Sequence, residues 1–186
     1  LASRHGRFYT NGIPEDTKAL SHGALNEDQF LTQIDLAHQD RVRQFRSALA
    51  EFQRGCLFFY FGTTDLLQHM FWRDRDADHP GRDPQQGDQY GHVIDDLYVT
   101  MDGVVGEALA ELGPDDTIMV LSDHGFNTFR RGFNLNTWLL EQGYIELKDP
   151  SQQGQYVLFA NVDWSRTSAY ALGLNSLYVN LRGRER

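Results

Sequence analysis

Two short apolar runs, Cys56-Leu57-Phe58-Phe59-Tyr60-Phe61 and Thr117-Ile118-Met119-Val120-Leu121, flank a stretch whose apolar residues recur with the period of a helix. Uninterrupted runs of this length predict strands buried on both faces, as in a parallel sheet. Between them, Ile94, Leu97, Tyr98, Met101, Val104, Val105, Ala108 and Leu109 make one stripe. That predicts a helix over 90–112, closed by Gly113-Pro114. Strand, crossover helix and strand form a βαβ unit, which implies parallel pairing and a right-handed connection. The predicted class is α/β, with a mainly parallel sheet flanked by helices.

Other elements follow from local chemistry. A long helix is predicted over 27–54, with Phe30, Ile34, Ala37, Val42, Phe45, Leu49 and Phe52 near a 3.6-residue period. Asn26 and Gln29 can cap its start, and Gly55 stops it. Residues 1–26 read as a loop or cap-like excursion and 73–89 as a polar surface loop. A short helix is predicted over 134–142, and short strands over 144–147, 156–159 and 176–181. The 186 residues suffice for one domain with a sizeable core. The chain opens on Leu1 and ends on the polar Arg182-Gly183-Arg184-Glu185-Arg186, so both ends read as cuts through a longer protein.

A net charge of −9 argues against gripping a nucleic-acid duplex, which needs a basic face. It does not argue against a phosphate substrate, because bound divalent cations add charge that a residue count omits. The apolar runs are too short to cross a bilayer. Cys56 stands alone, so no internal disulfide is available, and its apolar neighbours predict that it packs as a small hydrophobe.

The chemistry sits immediately after the two apolar runs. Asp65-Leu66-Leu67-Gln68-His69 follows the first, and Ser122-Asp123-His124-Gly125 follows the second. In open α/β sheets the ligand crevice lies beyond the carboxyl ends of the strands, so both motifs are expected at one edge. Carboxylate oxygen and neutral imidazole nitrogen are the ligands a divalent ion such as zinc takes. Asp65 and His69 are four apart and share a face if the chain turns helical after Gly62. Asp123 and His124 can converge where the backbone turns, with Gly125 supplying the freedom. Each motif alone is weak, and for Asp65 the structural alternative is a carboxylate accepting backbone amides at a strand-to-helix corner. Arg130-Arg131 reads as a solvated basic pair, with a phosphate contact as the alternative. The histidines His5, His22, His38, His79 and His92 read as surface residues. Phe71 and Trp72 read as packing near the site, with stacking on a substrate ring as the alternative.

Gly62-Thr63-Thr64-Asp65-x-x-x-His69 and Leu121-Ser122-Asp123-His124-Gly125-Phe126 resemble two central motifs of the alkaline phosphatase superfamily. The branch they resemble is the type I phosphodiesterase/nucleotide pyrophosphatase family. The flanks Gly12-Ile13-Pro14-Glu15-Asp16-Thr17, His69-Met70-Phe71-Trp72-Arg73, Phe133-Asn134-Leu135-Asn136-Thr137-Trp138 and Asn180-Leu181-Arg182-Gly183-Arg184-Glu185 are similar to bacterial members. The resemblance implies an alkaline phosphatase-like core, here incomplete, forming part of a larger phosphodiesterase catalytic domain. It implies a hydrolase of phosphate esters with two divalent ions, zinc foremost and manganese as the other choice. Asp65 and His69 would hold one ion, and Asp123 and His124 the other. It also implies an early-strand Asp, a Thr or Ser nucleophile and a late His, none of which has a counterpart in this chain. The isolated chain is therefore expected to be inactive, with the remainder of the parent polypeptide completing the site and a small phosphorylated molecule as substrate. A cofactor-independent phosphoglycerate mutase-like phosphomutase shares the pattern, and an inert fragment is the third expectation.

Overall fold

The computed structural model describes residues 6–155, 159–174 and 176–185. The chain forms two compact units, Leu1–Arg130 and Arg131–Arg186.

The first unit is built from helices. A single short turn, α1 (Thr17–Ser21), lies within the stretch expected to be loop and is capped by the Asp16 side chain, which accepts from the Ala19 amide. The long helix α2 (Glu27–Glu51) begins where expected. The Asn26 side chain accepts from the Gln29 amide, and the Gln29 side chain accepts from the Asn26 amide. This capping box satisfies two amides that would otherwise lack partners. α3 (Thr63–Arg75) follows Gly62, and α4 (Pro84–Tyr90) and α5 (Val93–Ala110) come next. The helix expected over 90–112 is α5, which starts at Val93, and Tyr90 instead ends α4. The loop expected over 73–89 is shorter than its polar composition suggested. Asp83 caps α4 by accepting from the Gln85 and Gln86 amides, and Pro84 occupies the first turn, where its missing N–H costs nothing.

Two cores hold this unit. Phe30 and Ile34 of α2 meet Leu66, Leu67 and Phe71 of α3, Tyr90 of α4 and Ile94 of α5. Further along, Val42 and Phe45 meet Val104 and Ala108, with Phe59, Phe61 and Ile118 packed against them. These last three residues correct the parallel sheet expected from the sequence. Among the described residues, 56–61 and 117–121 carry no strand assignment and make no backbone–backbone hydrogen bond. In 56–61 the half-buried residues alternate, with Phe59 and Phe61 on the helices, whereas in 117–121 only Ile118 packs there. The other side is open: Phe58 is 79% exposed and Leu121 75% exposed, and Cys56 is exposed rather than packed. Apolar composition brought Phe59, Phe61 and Ile118 to the helix surface, but a ladder needs backbone hydrogen bonds to a neighbouring strand, and among the described residues these segments make none. The mainly parallel sheet expected from the sequence is therefore not formed among the described residues of this unit.

Two buried polar side chains depart from expectation. His38 was expected on the surface, but it is 7% exposed on α2, with neither ring nitrogen hydrogen-bonded and its ring near Phe61. Burial pushes its pKa down, with Asp35 opposing. The unfolded chain takes up a proton below about pH 6.5 that the folded chain refuses. Stability is therefore lost as pH falls from that point through the folded pKa. His38→Leu is expected to narrow the gap between urea midpoints measured at about pH 8 and about pH 5, the two sides of the ordinary imidazole range. An unchanged gap would show that His38 is not the group responsible. Asp74 on α3 is 1% exposed with both carboxylate oxygens lacking a hydrogen-bond partner, and burial pushes its carboxyl up against the opposing pull of Arg73.

In the second unit, α6 (Leu135–Glu141) is capped by Asn134, whose side chain accepts from the Thr137 amide. The sheet is a two-stranded antiparallel ribbon, β1 (Ala169–Leu172) with β2 (Ser176–Val179), pairing Tyr170 with Tyr178. β2 falls within the strand expected over 176–181. Residues 144–147 contribute only an isolated bridge, Leu147 to Val162. The strand expected over 156–159 lies mostly outside the described residues. Leu139, Ile145, Val162 and Tyr170 form this unit's core. An open groove lined by Leu135, Leu140, Ile145 and Phe159 has no charged side chain on its described wall. No helix among the described residues is long and apolar enough to cross a membrane.

Candidate metal centre

α3 has two faces. Leu67 and Phe71 pack in the first core and Asp74 is buried, whereas Asp65, His69 and Asp76, just past the last turn, fall on the opposite side at i, i+4 and i+11, with Trp72 at i+7 also packed against the edge of that core. Gly62 starts the helix without a side-chain cap, so Asp65 in the first turn is the negative group nearest its N-terminal amides.

Asp65, His69 and His124 come together with their ligand atoms all within 4.8 Å of one another. His69 Nε2 lies 3.4 Å and His124 Nε2 3.5 Å from the same oxygen, Asp65 Oδ1. That oxygen is buried and has no hydrogen-bond partner. A buried carboxylate oxygen left without a donor is costly unless a cation faces it. The His124 ring is already set for such a role. Its Nδ1 donates to the Gly125 carbonyl at 3.1 Å, which leaves Nε2 with a free lone pair in the neutral ring. Asp123 stands at the rim. Its Oδ1 accepts from the His124 amide, and its Oδ2 lies 3.8 Å from His124 Nε2. Of the four residues singled out in the sequence, three converge on one point and the fourth borders it.

The sequence assigns Phe126 no role. Phe126 touches both imidazoles, 4.8 Å from His69 and 5.4 Å from His124 between ring centroids. Trp72, read from the sequence as packing near the site, stacks on Phe126 at 5.9 Å and 23°. Arg130, read as half of a solvated basic pair, is half-exposed and also pairs with Asp76 through three contacts of 3.0–3.2 Å. Arg131 is exposed. His79, also expected on the surface, is exposed, and its Nε2 donates to the Phe129 carbonyl at 2.9 Å.

A carboxylate flanked by two imidazoles on a helix and its facing loop defines a centre with the donor chemistry of a divalent-cation site. The family model for type I phosphodiesterase / nucleotide pyrophosphatase matches residues 14–180, and the chain belongs to that family. Comparison with curated proteins and with solved structures finds no match. The family points to a phosphoester hydrolase of the phosphodiesterase and pyrophosphatase kind, whose members are generally metal-dependent and whose substrates fit a small phosphorylated molecule.

Proposed function

We propose that this chain carries part of a two-metal centre for hydrolysis of phosphate esters, and that it is one portion of a larger catalytic domain. The observation that carries the reading is the partnerless Asp65 Oδ1 between two imidazole nitrogens. Asp65, His69 and His124 are the side chains that would hold a cation. Asp123, bordering His124, is the carboxylate available to a second. Two imidazoles with a carboxylate favour zinc, with manganese as the alternative. When bound, such ions supply positive charge that activates a hydroxyl nucleophile and stabilises charge developing on oxygen.

The chain's own residues supply position and charge. The carboxylate of Asp65 offsets cationic charge, and the Gly125 carbonyl fixes the His124 tautomer. Phe126 walls off one side of both imidazoles. Among the described residues, Ser122 has its hydroxyl committed to the His124 carbonyl. A Thr or Ser nucleophile and further ligands are assigned to the remainder of the parent polypeptide. The chain alone is then expected to bind metal without turning over substrate.

The test is hydrolysis of bis(p-nitrophenyl) phosphate by the polypeptide that contains this chain with its flanking sequence. Turnover that is lost with EDTA and restored by zinc or manganese is expected. Absence of metal-dependent turnover across several mono- and diesters overturns the reading.

A further inference from the structure

We infer that residues 124–130 and the outer face of α3 form a side-chain latch that positions His124 at the cation-holding cluster. Trp72, Asp76, Thr128 and Arg130 serve as positioning residues in it. The inference deepens the metal-centre reading and rests on it.

Among the described residues, 117–133 make no backbone–backbone hydrogen bond. Nothing in the main chain therefore sets the distance between the Asp-His-Gly turn and α3. Side chains do so instead, and they do it in register. His124 faces Asp65 and His69; Phe126 faces His69 and Trp72; Thr128 faces Trp72; Arg130 faces Asp76. Along the loop these are alternate residues, which an extended chain projects to one side. Along α3 they are the stripe at i, i+4, i+7 and i+11. The lengths agree: six extended residues span about 20 Å, and eleven helical residues rise about 16 Å. An extended segment running slightly oblique to a helix covers that difference.

The far end of this register is bonded most firmly. Trp72 Nε1 donates to Thr128 Oγ1 at 3.1 Å. The Thr128 hydroxyl and then the Arg130 guanidinium hold the Asp76 carboxyl below the usual carboxylate range. Asp76 is the residue that closes α3, so its backbone is fixed by the helix end, where its amide donates to the Trp72 carbonyl. The Arg75 guanidinium lies over the Trp72 ring at 5.4 Å, and the His79 bond to the Phe129 carbonyl adds a second tie. A planar guanidinium bound through a fork fixes orientation as well as distance, which a lysine cannot do. The latch therefore transmits the position of the α3 C-terminus to an imidazole near its N-terminus.

The test measures zinc affinity by competition with a chromophoric chelator, together with the nuclear Overhauser contact between the Phe126 and His69 rings in the metal-free chain, in Asp76→Asn, Arg130→Gln, their double variant and the swap Asp76→Arg/Arg130→Asp. Partners that orient a ligand typically contribute 10- to 100-fold in metal affinity. Each single variant is expected to weaken zinc about tenfold and to lose the Phe126–His69 contact, while the contact between Phe71 and Phe30 in the core remains. The double variant is expected to be no worse than either single, as for residues acting as one unit, and the swap to recover part of the loss. Persistence of the Phe126–His69 contact in both single variants overturns the latch, whatever the zinc result. Asp65→Asn separates the two readings. Loss of zinc there, with the Phe126–His69 contact intact, supports the metal centre. Retention of zinc there sinks the metal centre while the ring contact still decides the latch.

Discussion

Asp65→Asn should cost the chain its zinc, with affinity falling on the order of 100-fold or more. That exceeds the upper end of what removing an orienting neighbour costs. The substitution keeps shape and volume and removes the one negative charge that faces both Nε2 atoms. The rival explanation is that Asp65 serves only as an acidic residue in the first turn of α3. On that view the loss would be about 0.3–1 kcal/mol of helix stability, and metal uptake would not change. The two accounts differ by a measurement made in one afternoon: metal content of parent and variant after dialysis against buffered zinc, with a thermal melt beside it. Retained metal with a small drop in Tm would falsify the ligand role.

The second large effect is expected at Phe71. Its ring is 1% exposed, 6.4 Å from Phe30 and 5.8 Å from Tyr90 between centroids, and surrounded by Leu66, Leu67, Ile34 and Ile94. Four helices meet there, so no single element can shift to fill the space. Phe71→Ala therefore loses both the transfer energy and the contacts around the void, about 3–5 kcal/mol. That is a large share of the roughly 5–15 kcal/mol by which a domain is stable. Phe58→Ala, on a residue that touches mainly solvent, should stay within about 0.5 kcal/mol. Urea titration reads both, with the Phe71 midpoint moving and the slope unchanged. Equal shifts in the two variants would mean that the core has been misplaced.

These two outcomes bear on one helix, and the sequence disclosed its two faces unequally. The spacing of Asp65 and His69 already implied a shared face, and their convergence with His124 was expected from motifs that each follow an apolar run. The start of α2 was equally plain, because a capping box is written in four consecutive residues. What is local in the chain is legible in it.

What was missed depends on contacts that cross the chain. Asp76 and Arg130 are ordinary charges in polar stretches, and nothing marks them as a pair. The apolar runs at 56–61 and 117–121 have strand composition, but composition does not provide a neighbouring backbone. The sheet they suggested is not formed among the described residues. Two misses did have a local signal. His38 lies four residues from both Ile34 and Val42 on α2, which places it on the buried stripe. Asp83-Pro84 is a helix start that the surrounding Gly, Gln and Arg obscured.

The two unpaired extended segments also bear on handling the protein in solution. Phe58, Tyr60, Met119, Val120 and Leu121 face outward beside free backbone donors and acceptors, the arrangement that invites chains to stack edge to edge. The opposing force is mutual repulsion from nine net negative charges, which acts over about 30 Å at 0.01 M salt and about 10 Å at 0.1 M. The colloidal behaviour of this chain is thus governed by ionic strength: dilute buffer keeps copies apart, and concentrated salt lets them meet.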